Sequence, residues 1–248
     1  MAAARRRLDA ELVRRGLAPS RERAQADIAA GLVLVGGAPA DKPARLVGAG
    51  DPIVVTGPAR RFVSRGGDKL EHALSTFAVD VQGRRCLDAG ASTGGFTDCL
   101  LQRGAAEVVA VDVGYGQLHE RIRADSRVDV RERVNVRSLD AAAIGGPVDV
   151  VVADLSFISL RTVADALLAC AAPGAELVVL VKPQFEAGRA EAAKGKGVIR
   201  DPEVRARVLA EVGGAFRDRG AAIMGSVESP ITGADGNVEL LLHARAAG

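Results

Sequence analysis

Leu87-Asp88-Ala89-Gly90-Ala91-Ser92-Thr93-Gly94-Gly95-Phe96-Thr97 reads as a strand running through a glycine-rich turn into a helix. Glycine allows the tight turn and lets the backbone approach a ligand closely. Amides at the start of the following helix can bind polar or negative groups. The next apolar run, Val108-Val109-Ala110-Val111, ends in Asp112, far enough on for a carboxylate to accept from ribose hydroxyls. A glycine turn followed by such an acid is compatible with NAD. Two features favour S-adenosylmethionine. Asp88 stands immediately before the turn, where the dinucleotide fingerprint needs no acid, and Gly90, Gly94 and Gly95 do not fit its Gly-x-Gly-x-x-Gly spacing. A purely structural strand-to-helix turn would account for the glycines but not for both acids. The candidate cofactor set is Asp88, Gly90, Ser92, Thr93, Gly94, Gly95, Phe96, Asp112 and, at the end of a later strand, Asp154.

Outward from this turn, short Val- and Leu-rich runs alternate with helical patterns: Cys86 to Asp88, Val108 to Asp112, Val148 to Asp154 and Leu177 to Lys182. Near-continuous apolar strands separated by helices predict a parallel sheet covered on both faces. The end of the chain differs. Ala221 to Glu228 and Asn237 to His243 are joined through Gly233-Ala234-Asp235-Gly236, and Asp235-Gly236 is a hairpin signal, so the sheet is expected to finish with an antiparallel strand.

The ends of these strands carry chemistry. The chain has 5 lysines among its 33 basic residues, and Lys182 and Lys69 stand apart from the loop lysines Lys42, Lys194 and Lys196. An amine can lose its proton where a guanidinium cannot. Asp154 opens Asp154-Leu155-Ser156-Phe157, Lys182 opens Lys182-Pro183-Gln184-Phe185, and Glu239 lies near the start of the last strand. In an open sheet the C-terminal strand ends share the ligand-binding rim, and the start of an antiparallel strand falls on the same rim. Lys69, at the start of a helix before the sheet, is placed to reach over it. Each of the four is unremarkable alone, as a helix cap or a solvated charge; four beside the glycine turn make a candidate catalytic set.

The first 58 residues have another period. Leu8, Leu12 and Val13 recur at helical spacing and Gly16 stops that helix. Ser20 is an N-cap for a second helix with Ala24, Ile28 and Ala29 on its apolar side, ended by Gly31. Leu32 to Val35 before Gly36-Gly37, and Ile53 to Val55, read as strands. Residues 1–61 carry 11 Lys and Arg against 6 Asp and Glu, whereas 62–248 carry 22 against 25. This asymmetry, with Arg5, Arg6, Arg14, Arg15, Arg21 and Arg23 near or on the helices, points to nucleic acid, although an arginine-rich solvated face has the same composition. Domain limits of 1–56 and 64–248 follow, with a linker over 57–63 that contains Phe62.

Composition excludes several classes. With 48% hydrophobic residues the chain can bury a large core, but only 3% are aromatic, so Val, Leu, Ile and Ala must fill it. No apolar run approaches the about 20 residues of a membrane helix, and Arg5-Arg6-Arg7 is followed by no secretory apolar stretch. Cys86, Cys99 and Cys170 lie in apolar segments without metal-ligand spacing, which predicts reduced core cysteines, no metal, and a cytoplasmic protein. A monomer is expected.

Three resemblances attach to these residues. Asp-x-Gly-x-x-x-Gly-Gly at 88–95 resembles the first motif of class I methyltransferases. Leu8-Asp9 to Ala18, Ser20 to Ala24 and Gly31 to Gly37 resemble the alpha-L RNA-binding module first described in the fourth small-subunit ribosomal protein, whose helical pair presents arginines to RNA phosphates. Contacts of that kind give salt-dependent affinity without reading sequence, and the module lacks the stacking aromatics of single-strand readers. Lys69, Asp154, Lys182 and Glu239 match the Lys-Asp-Lys-Glu tetrad of ribose 2′-O-methyltransferases. With Ser64 to Leu70, Asp154 to Ser159, Lys182 to Glu186 and Lys194 to Val198 they make nearly the whole chain resemble the TlyA family, whose members also carry the name haemolysin. Family members often have Trp where Phe62 stands.

The resemblance implies an α/β class I (Rossmann-like) methyltransferase with a mostly parallel sheet and an antiparallel last strand, behind a small α+β RNA-binding domain. It implies methyl transfer from S-adenosyl-L-methionine to cytidine 2′-hydroxyls of ribosomal RNA, with ribosomal subunits as partners; the composition adds the expectation of no membrane and no metal. The competing readings are a ribosome-binding assembly factor with an idle sheet domain, a membrane-active haemolysin, and a small-molecule methyltransferase, which would leave the basic module unexplained.

Overall fold

The computed structural model describes residues 5–248 except 19, 57–60, 189, 190, 192, 194 and 234. It divides into two compact units, Met1–Arg61 and Phe62–Gly248. Residues 57–60 of the expected linker, Lys194 of the glycine-lysine motif and Ala234 of the expected turn lie outside the described residues. Phe62 and Val63 belong to the second unit rather than to a linker. The Phe62 ring fills the space a side chain on Gly67 would need, and the Val63 amide donates to Asp98 at 2.8 Å.

In the first unit β1 (Arg6–Arg7) leads directly into α1 (Leu8–Arg14), followed by α2 (Arg21–Ala29), β2 (Val33–Val35), β3 (Ala38–Pro39), β4 (Leu46–Val47) and β5 (Ile53–Val55). Strand β1 pairs with β4, and β2 lies between β3 and β5. The Ser20 hydroxyl caps α2 by accepting from the Arg23 amide at 3.2 Å. Leu8, Leu12, Ala24, Ile28, Val33 and Val47 form the core. One expectation fails on α2: Ala29 is exposed, and Asp27 turns inward in its place. Asp27 is able to do so because Arg23, one helical turn earlier, pairs with it.

The second unit opens with α3 (Gly66–Thr76) and continues through β6 (Arg85–Ala89), α4 (Gly95–Gln102), β7 (Glu107–Asp112), α5 (Glu120–Arg123), β8 (Val128–Glu132), β9 (Val148–Ala153), α6 (Leu160–Cys170), β10 (Ala171–Val181), α7 (Pro183–Glu186), α8 (Pro202–Arg217), β11 (Ala222–Glu228) and β12 (Leu240–Arg245). The seven strands run in the order β11-β12-β10-β9-β6-β7-β8. All neighbours from β10 to β8 pair in parallel, and β12 is antiparallel to both β10 and β11.

Alternate residues face two separate cores. Leu87, Val109, Val151, Val179 and Leu242 point to the layer of α6 and α8, with Leu167, Val208 and Phe216. Cys86, Val108, Val150, Val178 and Leu241 point to the layer of α3 and α4, with Leu70, Leu74 and Leu100. Burial on both faces explains why the strands read as continuous apolar runs. It also holds the three cysteines, reduced and buried, as small core residues.

The last strand is antiparallel, as expected, but it lies inside the sheet rather than at its edge. Its Leu240-Leu241-Leu242 run suits a strand with neighbours on both sides. The Asp235-Gly236 signal also belongs to something longer than a tight hairpin. Glu228 pairs with Leu240, so the connection spans 229–239, and Glu239 precedes β12 by one residue.

Phe216 is fully buried. Phe216→Ala is expected to destabilise the second unit by about 3–5 kcal/mol in chemical denaturation. Met224→Ala, on the exposed face of β11, should stay within about 0.5 kcal/mol of the parent.

Candidate active site

The turn after β6 is built by close backbone approach. Gly90 has φ +89°, and a Cβ on it would lie 2.6 Å from the Asp154 carbonyl oxygen. Only glycine lets β6 exit against the end of β9 in this way. Asp112, at the end of β7, accepts from the Ser92 amide at 2.8 Å and from the Gly114 amide at 2.6 Å, which fixes the turn beside β7. Each of its oxygens keeps a further lone pair, and Asp112 lines the cleft. Thr93, Gly95 and Phe96 line it as well, with the start of α4. Gly94 caps α4 and packs on Leu118.

Asp88, like Gly94, lines neither lobe of the cleft. It is fully buried beneath the turn, accepts from Thr97 Oγ1 at 2.6 Å, and its Oδ1 has no partner among the described residues. It supports the turn rather than lining the cleft. Burial pushes its carboxyl up to about 7, helped by the negative charges of Asp154 and Asp112 and opposed by the Thr97 hydrogen bond.

The four expected catalytic residues meet at one rim. Asp154 follows β9, Lys182 follows β10, Glu239 precedes β12, and Lys69 stands in the first turn of α3. Lys182 Nζ lies 2.6 Å from Asp154 Oδ1 and donates to Ser156 Oγ at 2.8 Å. Lys69 Nζ lies 2.5 Å from Glu239 Oε2, with both residues buried. All four line a cleft of about 350 Å³ together with Ser64, Arg65, Gly90 and Phe96. A second lobe, about 540 Å³, shares Gly90, Ser92, Asp154 and Ser156 and adds Asp112, Gln117, Asn135, Arg137 and Phe157. The cleft therefore has an acidic, partly apolar lobe at the end of β7 and a charged lobe at the ends of β9 and β10, joined at Gly90 and Asp154. Such an arrangement can hold an elongated ligand with its reactive atom beside an amine.

Sequence reasoning passed over Ser156, which holds Lys182 Nζ, and Asn135, Arg137 and Phe157 in the second lobe. Ser156 and Phe157 follow Asp154 in the chain, and that adjacency was the available signal. Phe157 is 90% exposed, has φ +63° and sets its ring 5.1 Å from that of Phe185.

The arginines of the first unit divide into two groups. Arg5 and Arg6 are exposed. Arg14 and Arg21 are also open to solvent while each holds an acid, Glu11 at 2.5 Å and Asp9 at 3.1 Å. Arg15 and Arg23 do not fit the expected role of presenting free guanidinium groups. Arg15, only 20% exposed, binds Glu11 and the carbonyls of Gly48, Ala49 and Asp51. Arg23 is occupied by Asp27. Arg7, outside the expected set, is exposed and binds Asp9 through two hydrogen bonds of 3.1 and 3.0 Å. Asp9 is fully buried, and hydrogen bonds from Arg7, Gln25 and Arg21 hold its carboxyl well below the usual range. Arg14 and Arg15 hold Glu11 down to about 2.

Comparison with known proteins follows this division. The model of the FtsJ-like methyltransferase family matches residues 62–246, and that of the S4 domain matches 6–53. The chain is 55% identical over 244 residues to the 16S/23S rRNA (cytidine-2′-O)-methyltransferase TlyA of Mycobacterium tuberculosis (strain ATCC 25618 / H37Rv), covering 98% of this chain and 91% of that one. It is 40% identical over 238 residues to Hemolysin A of Brachyspira hyodysenteriae, covering 96% and 98%. A solved structure from Streptococcus thermophilus that bears the name hemolysin superposes with a TM-score of 0.80 at 40% identity, covering 99% of this chain and 90% of that one.

Asp88 gives a test of the buried turn. Its folded value lies above the ordinary carboxylate value of 3.8, so between about 4 and 7 the folded state holds a proton that the unfolded state has lost. Its contribution to stability therefore falls as pH rises through that window. Melting the parent beside Asp88→Asn should show the parent losing ground on the variant, on the order of a few kcal/mol, from pH 4 to pH 7. A difference that does not change with pH would contradict the assignment.

Proposed function

This chain belongs to the FtsJ-like methyltransferase family, in its TlyA branch, and on that footing we propose that it transfers a methyl group from S-adenosyl-L-methionine to the ribose 2′-hydroxyl of cytidine in ribosomal RNA, of the small subunit, the large subunit or both. The observation that carries the reading is the meeting of Lys69, Asp154, Lys182 and Glu239 at one cleft beside the Gly90 turn.

The residues present fit the donor. Gly90 leaves the backbone bare where a side chain would collide, and the free lone pairs of Asp112 face a lobe suited to ribose hydroxyls. Asp112 and Asn135 would hold the adenosine portion, and Thr93, Phe96 and the start of α4 the amino-acid portion. When bound, the donor supplies an electrophilic methyl group on a positively charged sulfur.

The chain's own residues have the harder task, because a ribose hydroxyl is a poor nucleophile until it loses its proton. Lys182 Nζ is the base that takes it, in its neutral form. Asp154 and Ser156 fix where that nitrogen sits. Lys69, held by Glu239, is the second amine of the cleft. The remaining requirement is alignment, and holding the hydroxyl in line supplies much of the rate. The exposed Arg5, Arg6, Arg14 and Arg21 of the S4 unit would neutralise RNA phosphates, giving affinity that weakens with salt. The haemolysin reading has less behind it: no helix among the described residues is long and apolar enough to cross a membrane.

Lys182→Arg keeps the charge but not a removable proton. Tritiated methyl transfer to ribosomal RNA should fall by at least about 100-fold, while calorimetric affinity for S-adenosylhomocysteine survives. Full activity in this variant would remove Lys182 as the base.

A further inference from the structure

Asn237 lies two residues before Glu239 in the 229–239 connection and is only 1% exposed, yet the chemistry above makes no use of it. Its side-chain amide is engaged on both sides. Oδ1 accepts from the Ile199 amide and Nδ2 donates to the Gly197 carbonyl, each at 2.9 Å. Its backbone carbonyl accepts from the Gly233 amide at 2.8 Å. Gly233 in turn makes room for the catalytic carboxylate, since a Cβ there would lie 2.7 Å from Glu239 Oε1. The other oxygen, Oε2, meets Lys69 Nζ, and the Glu239 carbonyl accepts from the Ser229 amide at 2.9 Å. One buried amide therefore ties two loops together directly behind the carboxylate.

We propose that Asn237 is a positioning residue for methyl transfer: it locks the 229–239 connection to the 197–199 backbone and so sets the Glu239 carboxylate, and through it Lys69 Nζ, at the cleft. This rests on the function proposed above. The role needs an amide. Aspartate keeps the size and the acceptor but turns an oxygen toward the Gly197 carbonyl. Alanine leaves the buried Ile199 N–H and the half-buried Gly197 C=O without this partner, which the fold tolerates poorly. A shift of the carboxylate by a fraction of an ångström alters alignment, not donor binding, because the Gly90 turn and Asp112 sit on other strands.

Single-turnover transfer to ribosomal RNA is measured for the parent, Asn237→Asp and Asn237→Ala, each alone and combined with Glu239→Gln, with S-adenosylhomocysteine affinity taken on the same proteins. The expected result is a rate about 10- to 100-fold lower at saturating donor, with affinity within about twofold of the parent. On the Glu239→Gln background the same substitutions should change the rate by less than about threefold, because the residue they act through is already altered. Asn237→Asp carries the comparison if Asn237→Ala fails to fold. An unchanged rate, a parallel loss of affinity, or the full cost persisting on Glu239→Gln overturns the proposal while leaving an active parent. A parent inactive on ribosomal RNA overturns the proposed function and this inference with it.

Discussion

The Lys69–Glu239 ion pair joins residues 170 positions apart, and the geometry of the catalytic unit depends on it. Both partners are buried, and stripping a buried charge of its partner costs about 3–5 kcal/mol. The pair therefore ties the first turn of α3 to the start of β12. It can form only because β12 runs against its neighbours between β10 and β11, so that its beginning meets the ends of β9 and β10. There the second pair, Lys182–Asp154, bridges two adjacent parallel strands. Two amines and two carboxylates thus reach one cleft through sheet topology, although no two of them lie within twenty residues of each other.

The S4 unit uses a different arrangement, in which a buried acid holds an exposed base. Asp9 is fully buried and holds Arg7 and Arg21, whose side chains remain 46% and 57% exposed. Glu11 does the same for Arg14 while it also anchors Arg15. A flexible arginine held at one end loses less entropy when it meets a phosphate. The acids reduce the net charge of the unit but fix the direction of the charges that remain.

The parallel sheet was legible because its strands are buried on both faces and read as Val and Leu runs. The glycine turn was legible because backbone contact between Gly90 and Asp154 admits no side chain. The tetrad was legible from the position of each residue at a strand end or helix start, together with family likeness. The arginines were harder. Charge is visible in sequence, but whether Arg15 points to solvent or to the carbonyls of 48–51 depends on a loop more than thirty residues away. Asp88 misled for a similar reason: its position before the turn marks the motif, while its burial turns the carboxylate toward Thr97. Asn237 carried no signal of its own, since its partners are backbone groups of Gly197 and Ile199.

Catalysis at this cleft depends on how its two lobes divide a donor between them. A crystal structure with S-adenosylhomocysteine bound is the decisive measurement. The account predicts ribose hydroxyls on the Asp112 carboxylate and the sulfur in the lobe that Lys182 and Asp154 share. A sulfur turned away from Lys182, or a ligand seated away from the Gly90 turn, would contradict it.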